Sequence, residues 1–378
     1  MSVLLAEPTL ASPMASGLSS AGLDAPRLPE GFPAQLQSQL AWTGSSMSEA
    51  SNFILKLSDA EIAEINAALE FFKTLGDDGD AIKPSNFPLP TLGLKLADLS
   101  RDIHEGQGVA VIRGLNPASF PVEDLTMIYL GVSSYIAEQR GRQDKRGNML
   151  GFHIVADNST KQAAEHHRHS TKEITFHNEE AGDVVGWLTR STAAAGGKCI
   201  VASAYTIYNF LAATRPDLIR TLARSDWPFA LPKFHCRPVI FHEDGKLIMN
   251  FGRAALLGND AHPRPSHLPT LTSQQKEALD AIESIAKATQ LEIQTQAGDM
   301  HFINNLVVLH RREGFVNGEA SSEKRHLVRM RLRSTEHGWS IPSALEQEWN
   351  KAFGEKGGKH WHLEPMPASF FPLARQPN

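Results

Sequence analysis

The chain of 378 residues has only two cysteines, Cys199 and Cys236. Two thiols cannot form a disulfide framework, and this scarcity is typical of a protein from a reducing compartment. Lys and Arg are absent from the first 26 residues, so the charged start of a signal peptide and the arginines of a transit peptide are missing. No run of about 18 apolar residues is present that would cross a bilayer. We therefore expect a cytoplasmic protein without a membrane partner.

An excess of basic residues is also missing. The chain carries 37 Lys and Arg against 42 Asp and Glu, a formal net charge of −5 at pH 7, and it contains no long basic run. Nucleic-acid-binding domains usually show a clustered positive surface. We therefore expect a small organic molecule as the substrate and no nucleic acid partner. Nothing in the sequence indicates the oligomeric state.

Composition divides the chain into three parts. Residues 1–46 are rich in Ala, Ser, Pro and Leu without lasting periodicity. They are expected to form an extended or disordered arm, either mobile or laid over the domain. Residues 47–353 are expected to form a single domain, because neither an internal repeat nor a long linker interrupts them. Residues 354–378 begin with a Gly/Lys break, become rich in proline, and are interpreted as a tail.

Short apolar segments bounded by turn residues dominate the central region. The clearest predicted strands are 108–114, 182–190, 198–203, 300–310 and 325–333. Amphipathic helices lie between them, and the longest is predicted over 272–289. This order predicts a mainly β domain, a sandwich or a barrel, with peripheral helices.

The segment Glu173–Glu180 contains a His-x-Glu pair. Successive side chains of a strand point to opposite faces, so His177 and Glu179 would project together while Asn178 points away. His310 closes a later apolar run that is also predicted to be a strand. Two imidazoles and one carboxylate on neighbouring strands form the facial triad suited to Fe(II) in non-haem oxygenases. A bare His-x-Glu also arises by chance, as an ordinary histidine beside an exposed acid, so the surrounding sequence has to decide.

The surrounding sequence favours the metal site. A Gly298-Asp299 turn comes before the last strands, Asn304 and Asn305 precede the distal histidine, and an arginine-rich strand follows at 324–333. Earlier in the chain stand Gly196-Gly197 and the run Arg215-Pro216-Asp217-Leu218. Over about residues 90–345, these features together resemble the taurine-dioxygenase-like (TauD/TfdA) family of iron- and 2-oxoglutarate-dependent oxygenases.

The resemblance implies a double-stranded β-helix, a jelly-roll variant, with Fe(II) held at its open end by His177, Glu179 and His310. Many family members have Asp where this chain has Glu179, and the clavaminate-synthase-like branch has Glu. The resemblance further implies a dioxygenase, an oxidoreductase of small-molecule metabolism with 2-oxoglutarate and O₂ as co-substrates. Such an enzyme oxidises an unactivated C–H bond by hydroxylation, desaturation or ring formation, and releases succinate and CO₂. A protein of a different class stays open as the alternative: one that binds the metal or 2-oxoglutarate without turnover.

The resemblance also assigns residues to 2-oxoglutarate. Arg329 matches the family's arginine for the distal carboxylate, because arginine offers a planar fork for bidentate pairing. Arg325 lies four positions earlier, on the same side by strand parity. Cys199 stands where the family has Thr or Ser after the Gly-Gly turn. A thiol is a much weaker hydrogen-bond donor than a hydroxyl, so Ser203 is the candidate to replace that contact.

Two further polar groups are interpreted as ordinary surface. Arg331 and Arg333 are expected to be solvated charges on an exposed strand face. The insertion 156–172 contains His166-His167-Arg168-His169, but no thiolate or carboxylate stands at the spacing of a zinc site. We expect a solvated loop near the mouth of the site.

Overall fold

The structure, a computed structural model, describes residues 27–50, 52–144, 147–155, 171–231, 233–259, 263–354, 358–359 and 361. The histidine cluster of the 156–172 insertion, the first 26 residues of the arm and most of the tail lie outside these ranges. Among the described residues, no helix is long and apolar enough to cross a membrane.

Helices and strands alternate irregularly along the chain. The α-helices are α1 Gly44–Ala50, α2 Asp59–Leu75, α3 Leu92–Glu105, α4 Val122–Ser134, α5 Ala204–Thr214, α6 Pro216–Leu222, α7 Arg253–Leu257, α8 Ser273–Thr289 and α9 Glu346–Phe353. The first eight strands are β1 Ile54–Lys56, β2 Val109–Arg113, β3 Gln139–Gly141, β4 Gly151–Val155, β5 Ile174–His177, β6 Val184–Ser191, β7 Ala195–Gly196 and β8 Cys199–Ser203. The remaining strands are β9 Trp227–Phe229, β10 His235–Arg237, β11 Ile240–Glu243, β12 Lys246–Met249, β13 Leu291–Ile293, β14 Met300–Asn304, β15 Val308–Arg312, β16 Phe315–Val316 and β17 His326–Arg333.

Two sheets form the body of the domain. The larger has seven strands in the order β1-β2-β14-β6-β17-β3, with β4 also paired to β17. The smaller has four strands in the order β13-β8-β15-β5. Strands far apart in sequence are neighbours in both sheets, as in a jelly roll. The prediction of a mainly β fold with peripheral helices is confirmed.

The larger sheet is covered on both faces, and its strands alternate accordingly. On β6, Val184 and Leu188 pack with the helices α2, α3 and α4, whereas Val185 and Trp187 face the second sheet. The helical cover is specified locally. Ser58 caps α2 through a capping box with Glu61.

The second half of the arm lies against the domain. Residues 28–43 contain no helix or strand, but Leu36, Leu40 and Trp42 are buried in the core between the sheets. The indole Nε1 of Trp42 donates to the carbonyl of Gln107 at 2.7 Å, and the side chain of Asn209 exchanges hydrogen bonds with the backbone of Leu36. For the described residues, the arm is laid over the domain.

The prediction of one continuous strand over 300–310 is wrong. Strand β14 ends at Asn304 in the larger sheet, and β15 begins at Val308 in the smaller one. The Asn304 side chain accepts from the backbone of Leu306 at 3.1 Å and donates to the carbonyl of His104. Leu306 and Val307 are buried in the crossing between the sheets, so their apolar character reflects burial rather than a strand.

Candidate metal centre

Strands β5 and β15 bring the two histidines together. They pair antiparallel in the smaller sheet with His177 directly opposite His310, and the two rings lie 4.2 Å apart between centroids. The prediction that the strand continues to Glu179 is wrong, because β5 ends at His177 and Glu179 lies in the loop that follows. The carboxylate still turns to the same side as the imidazoles, since Glu179 Oε1 lies 3.9 Å from His177 Nε2 and 3.8 Å from His310 Nε2.

Two asparagines fix the loop that carries Glu179. The Asn178 side chain donates to the carbonyls of Asn305 and Val308 at 2.7 and 3.2 Å, and accepts from the backbone of Phe251 at 3.1 Å. The Asn305 side chain accepts from the backbone N–H of Glu179 at 2.7 Å and donates to the carbonyls of Glu179 and Gly182. The loop is therefore positioned by the crossing segment between β14 and β15, although it belongs to neither sheet.

The donor set fits a divalent metal ion. One ligand atom from each of His177, Glu179 and His310 lies within 4.8 Å of the other two. Nδ1 of His177 lies 2.9 Å from the carbonyl oxygen of Thr175. That contact suits a donating Nδ1–H and leaves Nε2 as the metal-binding atom. Two nitrogens and one oxygen on one side of an ion leave the opposite side open, as in non-haem Fe(II) oxygenases.

Two arginines stand behind Glu179. Arg329 donates through Nη1 to Glu179 Oε1 and through Nη2 to Gln143 Oε1, the latter at 3.1 Å. Arg331 Nη2 lies 3.8 Å from Glu179 Oε2. The prediction that Arg331 is solvated is wrong, because its side chain is only 6% exposed. A carboxylate with 2% exposure needs such compensation, since an unpaired buried charge costs several kcal/mol.

A cavity opens in front of the three ligands. It encloses about 690 Å³, including the open space at its mouth, and Arg325, Cys199 and Thr295 line it together with His310. Arg325 is half-buried, and its guanidinium lies 5.3 Å from the ring centre of Phe315. Within the described ranges it has no carboxylate partner. Burial lowers the pKa of Arg325 to about 10.

Cys199 and Ser203, the two candidate donors to 2-oxoglutarate after the Gly-Gly turn, differ in their surroundings. Burial raises the pKa of the Cys199 thiol to about 12, so this side chain is a neutral, weak donor. Ser203 does not replace it, contrary to the prediction. Its hydroxyl donates to the carbonyl of Leu40 at 2.5 Å and accepts from the backbone of Thr206 as the N-cap of α5.

Sequence reasoning missed Trp187, which forms a wall of the cavity. Its ring stacks on His301 at 5.0 Å with an interplanar angle of 8° and lies 6.1 Å from the His310 ring. The signal was present in the alternation of β6, which turns Val185 and Trp187 to the face that lines the cavity of the ligands. Thr295 and Leu327 also line the cavity, and no motif singled them out.

A jelly-roll domain with a His-Glu-His cluster at an open cavity defines a non-haem iron oxygenase. The family described as "Taurine catabolism dioxygenase TauD, TfdA family" matches residues 72–331. The chain is also similar to the taurine hydroxylase-like protein SAT17 of Stachybotrys chartarum, with 34% identity over 346 residues, covering 88% of this chain and 89% of that protein. This chain therefore belongs to the TauD/TfdA family of Fe(II)- and 2-oxoglutarate-dependent dioxygenases.

More distant relatives agree with the assignment. FR-33289 synthase of Streptomyces rubellomurinus is 24% identical over 319 residues, covering 80% of this chain and 91% of that protein. Among solved structures, an asparagine oxygenase in complex with Fe(II), 3-hydroxyasparagine and succinate aligns with a TM-score of 0.55 at 15% identity, covering 74% of this chain and 93% of that chain. The non-haem iron oxygenase OrfP in complex with Fe and α-ketoglutaric acid aligns with a TM-score of 0.52 at 15% identity, covering 74% of this chain and 93% of that chain. At this identity the structural likeness concerns the fold.

Proposed function

We propose that this dioxygenase oxidises an unactivated C–H bond of a small organic substrate, by hydroxylation, desaturation or ring formation, and releases succinate and CO₂. The observation that carries the proposal is one cavity lined by His177, Glu179 and His310 and by the half-buried cation Arg325. The fold and family define the class of enzyme, and these residues supply what its co-substrate requires.

The three ligands would hold Fe(II), which binds the keto-acid end of 2-oxoglutarate and activates O₂ for oxidation of the substrate. Two neutral imidazoles and one carboxylate leave the ion with a net charge of +1. This charge favours a dianionic co-substrate. The wall of Trp187 and Leu327 excludes water from one side of the cavity and strengthens electrostatic interactions there.

We assign the distal carboxylate of 2-oxoglutarate to Arg325, whereas the family resemblance placed it at Arg329. Support comes from their partners: Arg329 is engaged by Glu179 and Gln143, whereas Arg325 has no acidic partner in the described part of the chain. Arg325 lies against the Gly-Gly turn: a Cβ at Gly197, where φ is +76°, would stand 3.4 Å from Cδ of Arg325. Arg329 instead holds the carboxylate ligand of the metal.

The test uses Fe(II)-loaded protein. Anaerobic addition of 2-oxoglutarate should produce the weak visible charge-transfer band of a chelated keto-acid, and aerobic incubation with a substrate panel should yield succinate in proportion to product. His310→Ala should give neither. Failure of the wild-type protein to develop the band at saturating 2-oxoglutarate would refute the proposal and favour a protein that does not turn over.

The two arginines are separated by substitution. Removing one partner of a desolvated arginine–carboxylate pair costs roughly 2–5 kcal/mol. Arg325→Ala should therefore weaken 2-oxoglutarate binding by one or more orders of magnitude and leave metal affinity near wild type. Arg325→Lys should recover little, because a point charge does not reproduce the fork. A larger loss of 2-oxoglutarate affinity in Arg329→Ala than in Arg325→Ala would return the assignment to Arg329.

A further inference from the structure

The distal carboxylate needs more than Arg325. An ionised carboxylate has about four acceptor sites, and one guanidinium fork fills two of them. The family places a hydroxyl after the Gly-Gly turn, but this chain has a buried, neutral thiol at Cys199. Ser203 is occupied as a helix cap. Part of the carboxylate would remain unsatisfied unless another hydroxyl reaches it.

Thr295 follows β13, the strand that pairs with the strand of Cys199. Strands β13 and β8 pair antiparallel, with Leu291 opposite Val201 and Ile293 opposite Cys199. Thr295 lies two residues beyond Ile293, past the end of β13, and lines the same cavity as Cys199. The pairing of β13 with β8 therefore brings a hydroxyl to the cavity that the thiol also lines.

The surroundings of Thr295 leave its hydroxyl available. The side chain is half-buried and lines both the metal cavity and an adjoining cavity, and Arg325 lines the same two spaces. Within the described residues, the Thr295 hydroxyl makes no hydrogen bond. Its strand has ended at Ile293, so the main chain at 295 is not paired with a neighbouring strand.

We propose that Thr295 donates its hydroxyl to the distal carboxylate of 2-oxoglutarate, in place of the hydroxyl that the family carries at the position of Cys199. The proposal rests on the function proposed above, with Arg325 as the cationic partner of the same carboxylate. The hydroxyl would thus come from the segment after β13 instead of from β8. The carboxylate needs no cation besides Arg325, and the thiol of Cys199 packs against its neighbours without donating a hydrogen bond to the carboxylate.

The experiment measures 2-oxoglutarate affinity from the anaerobic charge-transfer band of the Fe(II) protein. Thr295→Val keeps the shape of the side chain and removes the hydroxyl. It should weaken 2-oxoglutarate binding roughly tenfold, the size expected for a hydrogen bond to a charged group. Thr295→Ser should stay near wild type. Thr189→Val is the matched control, because Thr189 is buried and lines only the adjoining cavity.

Two further arms separate a direct contact from a structural effect. The first is 2-oxopentanoate, which chelates through the same keto-acid but ends in a methyl group. Thr295→Val should leave its affinity unchanged. The second is the double variant Thr295→Val with Cys199→Thr, which restores a hydroxyl on β8 and should recover most of the lost 2-oxoglutarate affinity.

The outcomes are distinguishable. Wild-type affinity for 2-oxoglutarate in Thr295→Val, or an equal loss for both keto-acids, would overturn the role of Thr295 even if Arg325→Ala loses 2-oxoglutarate binding as expected. Unchanged binding in Arg325→Ala would instead overturn the assignment of the distal carboxylate. No band in the wild-type protein would overturn the proposed function itself.

Discussion

Replacing Arg329 by methionine tests whether the arginine and the metal ion compensate the same carboxylate, that of Glu179. Arg329 donates to Glu179 Oε1, the same atom that lies 3.8–3.9 Å from the Nε2 atoms of His177 and His310. Both side chains of the ion pair are at most 5% exposed. Removing one partner of a buried pair costs about 3–5 kcal/mol, because the other charge stays buried. Arg331, 3.8 Å from Oε2, remains, so we expect the lower end of that range.

The loss should depend on the metal. In metal-free Arg329→Met the free energy of unfolding should fall by about 3 kcal/mol. A bound cation compensates the charge of Glu179 in place of Arg329, so most of this lost stability should return when metal is bound. By linkage, the variant should bind Co(II) or Zn(II) up to about a hundredfold more tightly than the wild type. Chemical denaturation with and without metal measures the change in stability, and direct metal titration measures the change in affinity. The reasoning would be refuted by an equal destabilisation in both states.

A matched control is available outside the site. Arg140 is half-buried, and its guanidinium donates to the carbonyls of Asp80 and Ile82 at 3.0 and 2.6 Å. Arg140→Met should therefore destabilise the protein by the same amount whether or not metal is bound. Metal affinity should stay at the wild-type value. A metal-dependent effect here would indicate global coupling rather than a contact with Glu179.

Three further predictions concern the frame of the site. His177→Ala and His310→Ala should each lower metal affinity by orders of magnitude in a Co(II) titration, because among the described residues the cluster has no fourth candidate ligand. Asn305→Leu should weaken metal binding without changing the ligand set, since the Glu179 loop loses three hydrogen bonds; wild-type affinity would contradict this. Burial raises the pKa of Asp183 to about 6, so the folded state binds more protons than the unfolded state between about pH 4 and 6, and stability falls as pH rises through that window. Asp183→Asn should remove this fall from the pH profile of unfolding, and an unchanged profile would count against it.

Local sequence determined the elements and the chemistry of the ligands. Periodicity located the long helix α8, whose N-cap is Thr272. The spacing of His177 and Glu179, with His310 behind an apolar run, identified a facial triad because few residue types provide that donor set. These features depend on neighbours within a few positions, which a sequence displays directly.

Only the tertiary structure decided how the site is held and which arginine is engaged. Strand parity could not separate Arg325 from Arg329, because it predicts that both side chains point to the same face. The two arginines differ in their partners: Glu179 contacts Arg329 and does not contact Arg325. Apolar periodicity likewise predicted one strand over residues 300–310, because all of the segment except His310 is buried. The pattern contains no signal that the chain passes from one sheet to the other at Asn305. Thr295 carries no motif at all. Its place in the same cavity as Cys199 follows from long-range packing, which pairs β13, just before Thr295, with β8 about 95 positions earlier in the chain.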